Sequence, residues 1–117
     1  MTDIMNRMKT KIIREFGTPC LVIDLDVVER NIQHAQKLCD EAGVANRPHI
    51  KTHKSPLLAK MQIEAGARGI TCQKLGEAEV MADAGITDII VATNLLGAAR
   101  SGRLASLQRR LALKVCA

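Results

Sequence analysis

The sequence predicts an α/β fold built on a parallel sheet, and a repeated phrase carries most of that prediction. Three amphipathic stretches end in an acid, an alanine and a glycine, at residues 41–44, 64–67 and 83–86. Glycine just past a helix adopts the left-handed conformation at little cost, and a short apolar run follows each phrase. The phrases begin 23 and then 19 residues apart. That spacing holds one helix and one strand, the repeating unit of a parallel sheet.

The first predicted helix is followed by a strand and a second helix. We expect Asp26 to cap the first helix, because Glu29 stands three residues later and completes a capping box. The next strand is predicted over residues 47–51. Ser55 and Pro56 then provide a cap and a first-turn proline, which predict that the second helix begins there.

Three further strands are predicted, at residues 69–72, 88–92 and 111–116, with helices at 75–84 and 98–110 between them. Four βα units are half of a TIM-type (β/α)8 barrel, so residues 17–117 are predicted to form the first four units of such a barrel. Residues 1–16 form an N-terminal extension. Since a half barrel leaves two sheet edges open, we expect a truncated chain rather than the alternative, a complete small open sheet.

Composition excludes several classes of function. With 117 residues, of which 47% are apolar and 25% charged, the chain can form one globular core. The net charge of +5 arises entirely after Asp88, because residues 1–88 hold 12 basic and 12 acidic side chains. Phe16 is the only aromatic residue, so we expect no nucleic-acid partner. The longest apolar runs are far shorter than the roughly 18 residues of a bilayer span, so no membrane association is expected.

The cysteines and the N-terminus predict a reducing compartment. None of the four cysteines forms a C-x-x-C pair, which disfavours zinc ribbons and redox motifs. Cys20, Cys72 and Cys116 lie in strand-like runs, where we expect them to be buried. Residues 1–16 lack the apolar core of a secretory signal. The expected location is therefore the cytoplasm.

The segment 47–54, Arg-Pro-His-Ile-Lys-Thr-His-Lys, is the most unusual part of the sequence. In an extended segment His49 and Lys51 point to one side and Ile50 to the other. Strands of a parallel sheet are normally apolar on both faces, so two polar side chains there need an explanation. In such sheets the active site lies at the carboxyl ends of the strands.

Three interpretations of this segment remain open on its chemistry alone. It could be a basic loop whose side chains pair with helix acids. A metal shared by His49 and His53 is disfavoured, because the two lie roughly 13 Å apart in an extended run. The third interpretation is a Schiff-base lysine. Neighbouring cations and burial lower a lysine pKa, and Lys51 stands among His49, His53 and Lys54.

A family resemblance narrows these interpretations. The residues that carry it are Thr18-Pro19, 21–26 (LVIDLD), Glu29-Arg30-Asn31, 47–54 (RPHIKTHK), Gln73-Lys74 and 76–80 (GEAEV). In this order and spacing they resemble the D-threonine aldolase and D-serine dehydratase family, pyridoxal phosphate enzymes with an alanine-racemase-type N-terminal barrel. The resemblance covers residues 17–117, and the phrase 47–54 is its specific part.

The resemblance implies roles for four residues. Lys51 holds the cofactor as a Schiff base and is the catalytic residue, whereas Lys54 is only its neighbour. The resemblance places His49 on the cofactor-facing side. Gln73 and Asn94, which follow the next two strands, are expected on the same cofactor-binding rim from their position, and for Gln73 a surface-loop amide remains the alternative. Glu77 and Glu79 open a helix, where acids favour the positive end of the dipole, and are interpreted as structural. No metal ligand is assigned within the chain, because the family's divalent-metal ligands and cofactor phosphate loop lie beyond residue 117.

The implied activity is that of a lyase. The complete enzyme would cleave the Cα–Cβ bond of a D-β-hydroxy amino acid to glycine and an aldehyde, as a D-threonine aldolase does, with a metal ion assisting at the β-hydroxyl. Residues 52–55 do not match the lysine phrase of alanine racemases proper, so racemase activity is disfavoured. D-serine or 3-hydroxyaspartate dehydratase activity, a non-catalytic cofactor-binding relative and an inactive truncated product remain alternatives. The resemblance also implies a homodimer, and we expect the 117-residue chain alone to be inactive.

Overall fold

The computed structural model describes residues 2–116 and confirms an α/β fold with a parallel sheet. Within these residues five helices and three strands follow one another along the chain. The helices are α1 (Thr2–Phe16), α2 (Leu25–Glu41), α3 (Pro56–Glu64), α4 (Leu75–Asp83) and α5 (Ala98–Gln108). The strands are β1 (Ile70–Cys72), β2 (Asp88–Asn94) and β3 (Ala112–Cys116). The three glycines of the repeated phrase, Gly43, Gly66 and Gly85, all have positive φ, as helix stops require.

The sheet has the order β1-β2-β3, and both strand pairs are parallel. Ile70 pairs with Ile89, which in turn pairs with Leu113. Helix α4 connects β1 to β2, and α5 connects β2 to β3. The alternation of strand and helix therefore follows the predicted pattern, and the carboxyl ends of all three strands lie at one edge of the sheet.

The predicted strand at 47–51 is reduced to a single bridge between His49 and Thr71. The backbone N–H of Ile50 donates to the Thr71 carbonyl at 2.9 Å, and the Thr71 N–H donates to the Pro48 carbonyl at 2.8 Å. Pro48 has no N–H to donate, and the chain turns at residues 51–53. The segment 47–50 therefore lies beside β1 without forming a regular strand.

A buried apolar cluster joins the sheet to its helices. Its largest fully buried side chains come from the segment before β1, from β1 and β2, and from α4 and α5: Ile50, Ile70, Cys72, Met81, Ile89, Val91 and Leu107. Ile50 belongs to this cluster although it lies outside the regular strands. Because successive side chains of an extended segment point to opposite sides, burial of Ile50 turns His49 and Lys51 to the other side of the chain.

Two predicted details of the elements need correction, and a third is confirmed. Helix α2 is capped by Asp24 and not by Asp26: Asp24 has extended backbone angles and accepts the Val27 N–H at 3.1 Å, whereas Asp26 already lies in the first helical turn. Strand β2 ends at Asn94, two residues later than predicted. The cap of α3 is confirmed, with Ser55 accepting the Leu58 N–H at 3.4 Å and Pro56 in the first turn.

The cysteine prediction is confirmed at Cys72 and wrong at Cys20 and Cys116, which are exposed. The apolar run around Cys20 pairs with none of the three strands, and Cys116 lies at the carboxyl end of the outermost strand. Helix α1 is also exposed to solvent. Among its residues 3–16, Ile12 has the only side chain that is not exposed. None of the helices within residues 2–116 combines the length and apolarity that a bilayer crossing requires.

Candidate active site

The candidate site lies at the carboxyl edge of the sheet, where each predicted site residue follows an extended segment. Lys51 comes directly after Ile50, Gln73 directly after β1, and Asn94 is the last residue of β2. Because the strands are parallel, these residues share one edge of the sheet. Parallel sheets carry ligands at this edge, so the topology agrees with the predicted placement.

His49 and Lys51 emerge on the side of the chain opposite to the buried Ile50. His49 is half-buried, and its Nδ1 accepts the backbone N–H of Lys51 at 3.2 Å. That bond leaves the proton of the neutral ring on Nε2. Lys51 is exposed, and none of the ion pairs within residues 2–116 includes it. The edge therefore presents an amine that no described carboxylate neutralises.

Lys54 differs from Lys51 because an acid holds it. Its Nζ lies 3.6 Å from Oε1 of Glu77, in the first turn of α4. The other oxygen of Glu77 accepts the backbone N–H groups of Gln73 and Lys74, at 2.9 and 3.2 Å. Partial burial raises the pKa of Glu77, but these two N–H groups and Lys54 outweigh it and lower the pKa below its ordinary value. Glu77 thus caps a helix and binds Lys54, which agrees with a structural role.

Gln73 and Asn94 are brought together by the structure, but not with Lys51. Both are exposed and line one open cavity of about 330 Å³. Arg100 and Arg103 of α5 also line it, whereas His49 and Lys51 do not. Arg103 forms an ion pair with Glu79 of α4, so Arg100 is the arginine of this cavity for which the described residues provide no acid. The cavity thus offers two amides and one free guanidinium.

His53 occupies the turn after Lys51 and repeats the bonding of His49. Its Nδ1 accepts the backbone N–H of Ser55 at 3.0 Å, while its Nε2 is buried without a hydrogen-bond partner in the described part of the chain. Within residues 2–116, no group of three or more His, Cys, Asp or Glu side chains is placed to hold a metal ion. The two histidines therefore serve the turn around Lys51 through their Nδ1 atoms.

Cys72, the last residue of β1, is the one nucleophile buried at this edge. Burial, reinforced by the negative charge of Glu77, raises the pKa of its thiol to about 12. The thiol is therefore protonated and unreactive at neutral pH. Cys72 serves the core of the sheet.

Sequence reasoning missed an ion pair at the opposite edge of the sheet. Arg47 donates to both carboxylate oxygens of Asp88, at 2.9 and 3.0 Å, and both side chains are largely buried. Lys114 donates to the same carboxylate at 2.8 Å. These bonds, led by those from Arg47, lower the pKa of Asp88 to about 2 although burial opposes them. The available signal was an acid at the first position of an otherwise apolar predicted strand.

Several known proteins are similar to this chain in sequence. The model of a family described as alanine racemase, N-terminal domain, matches residues 23–115. A D-threonine aldolase from an Arthrobacter species is 43% identical over 99 residues, which are 85% of this chain and 26% of the aldolase. A D-threo-3-hydroxyaspartate dehydratase from Delftia sp. strain HT23 is 50% identical over 78 residues, or 67% of this chain and 20% of the dehydratase.

A solved structure agrees with these sequence relatives. The crystal structure of D-threonine aldolase from Filomicrobium marinum superposes with a TM-score of 0.84 at 43% identity, and the match covers 86% of this chain and 27% of the aldolase. The chain therefore spans about a quarter of the length of the relatives it matches.

Proposed function

Since the chain belongs to the family of the alanine racemase N-terminal domain, in the branch of the D-threonine aldolases and 3-hydroxyaspartate dehydratases, we propose that it carries the anchor lysine of a pyridoxal-phosphate-dependent lyase. The reaction is cleavage of a D-β-hydroxy amino acid such as D-threonine to glycine and an aldehyde. The activity belongs to the complete gene product, because the chain spans only about a quarter of these relatives. In that product residues 17–117 form the first part of the cofactor-binding barrel, and the enzyme is a homodimer.

One observation carries the proposal: Lys51 presents an unpaired amine at the carboxyl edge of a parallel sheet. A lysine that bonds to an aldehyde must lose its proton, and an adjacent carboxylate would stabilise the charged form. Lys54, three residues later, has such a carboxylate in Glu77 at 3.6 Å, whereas no ion pair within residues 2–116 includes Lys51. This difference in surroundings supports Lys51, rather than Lys54, as the proposed anchor.

The donors at this edge fit the aldehyde end of pyridoxal phosphate. Lys51 supplies the amine, and His49 supplies an Nε2–H donor from a ring that the Lys51 N–H holds in place. Gln73 and Asn94 line a cavity that does not include Lys51, and their amide groups would donate to and accept from other polar atoms of the cofactor or the substrate. When bound, the cofactor supplies a conjugated ring that accepts the electron pair of the broken Cα–Cβ bond. Within residues 2–116 no cluster of three or more His, Cys, Asp or Glu side chains is placed to hold a metal ion, so the divalent metal that the resemblance implies would take its ligands from outside these residues.

The chain's own residues then have distinct tasks. With the cofactor bound, Lys51 would hold it through its amine, and that amine would take up or release the proton that moves when a substrate amine takes its place. His49 keeps the backbone before and after Lys51 in a fixed turn, since its Nδ1 holds the Lys51 N–H. The amides of Gln73 and Asn94 orient polar atoms of the cofactor or the substrate at the neighbouring strand ends. Cleavage of D-threonine yields one glycine and one acetaldehyde, which together contain all of its atoms.

Covalent trapping tests the role of Lys51 directly. The complete gene product is incubated with pyridoxal phosphate, reduced with borohydride and digested for peptide mass mapping. We expect the pyridoxyl group on Lys51, with Lys54→Ala still labelled and Lys51→Ala not. A label that stays with Lys54 or Lys74 in the unsubstituted protein would contradict the assignment of the anchor.

Product analysis tests the reaction. D-Threonine should release glycine and acetaldehyde in equal amounts. A second candidate activity is elimination of water, favoured by the 50% identity to D-threo-3-hydroxyaspartate dehydratase over 78 residues. It would convert D-threonine to 2-oxobutanoate and ammonia, and its appearance would move the assignment to the dehydratases. Labelling of Lys51 without any product would instead identify a non-catalytic cofactor-binding relative.

A further inference from the structure

The segment that carries Lys51 is tied to the sheet by few backbone bonds. One bridge joins it to β1, through the Ile50 N–H and the Thr71 N–H, and directly before the segment the Arg68 N–H donates to the Asn46 carbonyl at 3.0 Å. A regular strand is held by several such pairs, and a slip of one residue would turn every side chain to the opposite face. Such a slip would bury Lys51 and expose Ile50. Side-chain contacts that oppose such a slip would add to these few backbone bonds.

Arg47, four residues before Lys51, provides that additional hold. Its guanidinium passes across the start of β1 and reaches Asp88, the first residue of β2. Two parallel N–H bonds of 2.9 and 3.0 Å join the side chains, and a further contact of 3.4 Å reaches the Asp88 carbonyl. A bidentate pair of this kind fixes orientation as well as distance. The contact therefore spans from the lysine segment to the second strand of the sheet.

Gly69 makes this crossing possible. A Cβ at this position would lie 2.4 Å from Nη1 of Arg47 and 2.4 Å from the Asp88 carbonyl oxygen. Since real Cβ atoms do not approach other atoms so closely, only glycine lets the guanidinium pass over the backbone here. Lys114 of β3 binds the same carboxylate at 2.8 Å, so Asp88 connects three neighbouring parts of the sheet.

We propose that the Arg47–Asp88 ion pair is a positioning device for Lys51, which sets the register in which the lysine emerges at the carboxyl edge. Arg47 and Asp88 are thus positioning residues that act through four residues of extended backbone, roughly 13 Å. The inference rests on the proposed function, in which Lys51 is the anchor lysine. It goes further by giving two residues at the opposite edge of the sheet a role in the site.

The test compares two identical substitutions. Asp88→Asn removes the charge that holds Arg47, and Asp83→Asn removes the charge that binds Arg110 at 2.5 Å on the exposed side of α4 and α5. Both variants of the complete gene product are studied at a temperature where circular dichroism shows them folded. Two quantities are measured: the rate of borohydride-trapped pyridoxal phosphate labelling at Lys51, with Lys54 as the internal reference, and hydrogen exchange at the Ile50 and Thr71 amides.

We expect Asp88→Asn to lower the rate of labelling at Lys51 relative to Lys54 by about tenfold or more, because misplacement by a fraction of a residue is enough to disturb a reacting group. Exchange at Ile50 and Thr71 should accelerate in the same variant. Asp83→Asn should leave both quantities unchanged. A general loss of stability would not change the ratio of the two lysines in a folded protein, so the ratio separates positioning from simple structural support.

The outcomes distinguish this inference from the proposed function. If folded Asp88→Asn shows the same ratio of Lys51 to Lys54 labelling as the unsubstituted protein, the positioning role is overturned and the proposed function stays intact. Failure of the unsubstituted protein to label Lys51 overturns the proposed function itself. If Asp88→Asn does not fold, Arg47→Lys replaces it, since lysine keeps the charge but cannot form the two parallel bonds. A partial fall in the Lys51 ratio supports the inference in that variant, and an unchanged ratio overturns it.

Discussion

The two edges of the parallel sheet use charge in opposite ways. At the amino edge, Arg47 and Lys114 both bind Asp88. At the carboxyl edge, Lys51 has no acid partner within residues 2–116, and Gln73 and Asn94 are exposed beside a cavity. Both edges carry basic residues, so composition alone does not separate them. Asp88 binds the basic residues of the amino edge, which therefore stabilise the fold. Among the described residues, the carboxyl edge has no such carboxylate beside Lys51, so its amine is free to react.

This difference shows how one small sheet supports an exposed reactive amine. An unpaired lysine contributes little to the free energy of folding, so the segment that carries it must be held by other groups. The hydrophobic anchor is Ile50, which is fully buried, and the electrostatic anchor is Arg47. These two residues flank the bridge that fixes the segment on β1. The predictions below change one edge at a time.

The largest effect is expected at the carboxyl edge. Lys51→Ala should lower turnover of D-threonine by more than about 10³-fold, because no other described amine at this edge is free of a carboxylate and next to His49. Lys54→Ala removes the ammonium that Glu77 already binds and should retain most of the activity. Steady-state acetaldehyde release measures both. Comparable losses of turnover in the two variants would show that Lys51 has no role that Lys54 lacks.

The next effect is expected at the amino edge. Gly69→Ala places a methyl group against Arg47 and the Asp88 carbonyl, and should lower the free energy of unfolding by about 1–3 kcal/mol. Gly102→Ala is the matched control, because it lies within α5 and its added methyl group would meet nothing within 4 Å. That variant should be more stable by roughly 0.5–1 kcal/mol. Urea unfolding gives both values, and a tolerated Gly69→Ala would contradict the tight crossing of Arg47.

The pH dependence of stability gives a smaller effect at the same edge. Hydrogen bonds from Arg47, with help from Lys114, lower the pKa of Asp88 from 3.8 to about 2. A carboxyl whose pKa is lowered by folding stabilises the protein above its unfolded pKa, and that contribution is lost as the pH falls through the folded pKa. Unsubstituted protein should thus exceed Asp88→Asn by about 1–2 kcal/mol at pH 6, and the difference should shrink between pH 4 and pH 2. A difference that stays constant with pH would show that the charge of Asp88 does not stabilise the fold.

Local patterns in the sequence were enough to predict the order of helices and strands from α2 onward, apart from the strand at 47–51, which is a single bridge. The glycine stops and the Ser55 cap involve neighbours along the chain, and both lie where they were expected. The cap of α2 moved from Asp26 to Asp24 because two acids stand two residues apart and either can accept a backbone N–H. The side-chain chemistry of the two acids is the same. The choice depends on where the backbone changes from extended to helical angles, which is at Asp24.

Long-range contacts could not be predicted in this way. Arg47 and Asp88 are 41 residues apart, and their contact depends on which strands become neighbours. The basic run after Asp88 met no acid nearby in sequence, yet Arg103 binds Glu79 and Arg110 binds Asp83 once α4 and α5 lie side by side. The placement of Lys51 at the sheet edge was within reach of pattern reasoning, because alternation about Ile50 needs no tertiary information.

The smallest predicted effect concerns Glu77, which separates the surroundings of Lys54 from those of Lys51. Glu77→Gln keeps an oxygen for the Gln73 and Lys74 N–H groups but removes the charge near the helix N-terminus and beside Lys54. The expected loss of stability is about 0.5–1 kcal/mol, since such charges act through an exposed dipole and an exposed lysine. Lys54 should at the same time become more reactive toward pyridoxal phosphate, so that the share of the trapped label on Lys54 rises relative to Lys51. Peptide mapping after borohydride reduction measures the ratio, with Glu79→Gln as a control that affects only Arg103. An unchanged ratio of the two labels would mean that the turn geometry around His49, rather than the absence of a carboxylate, determines which lysine reacts.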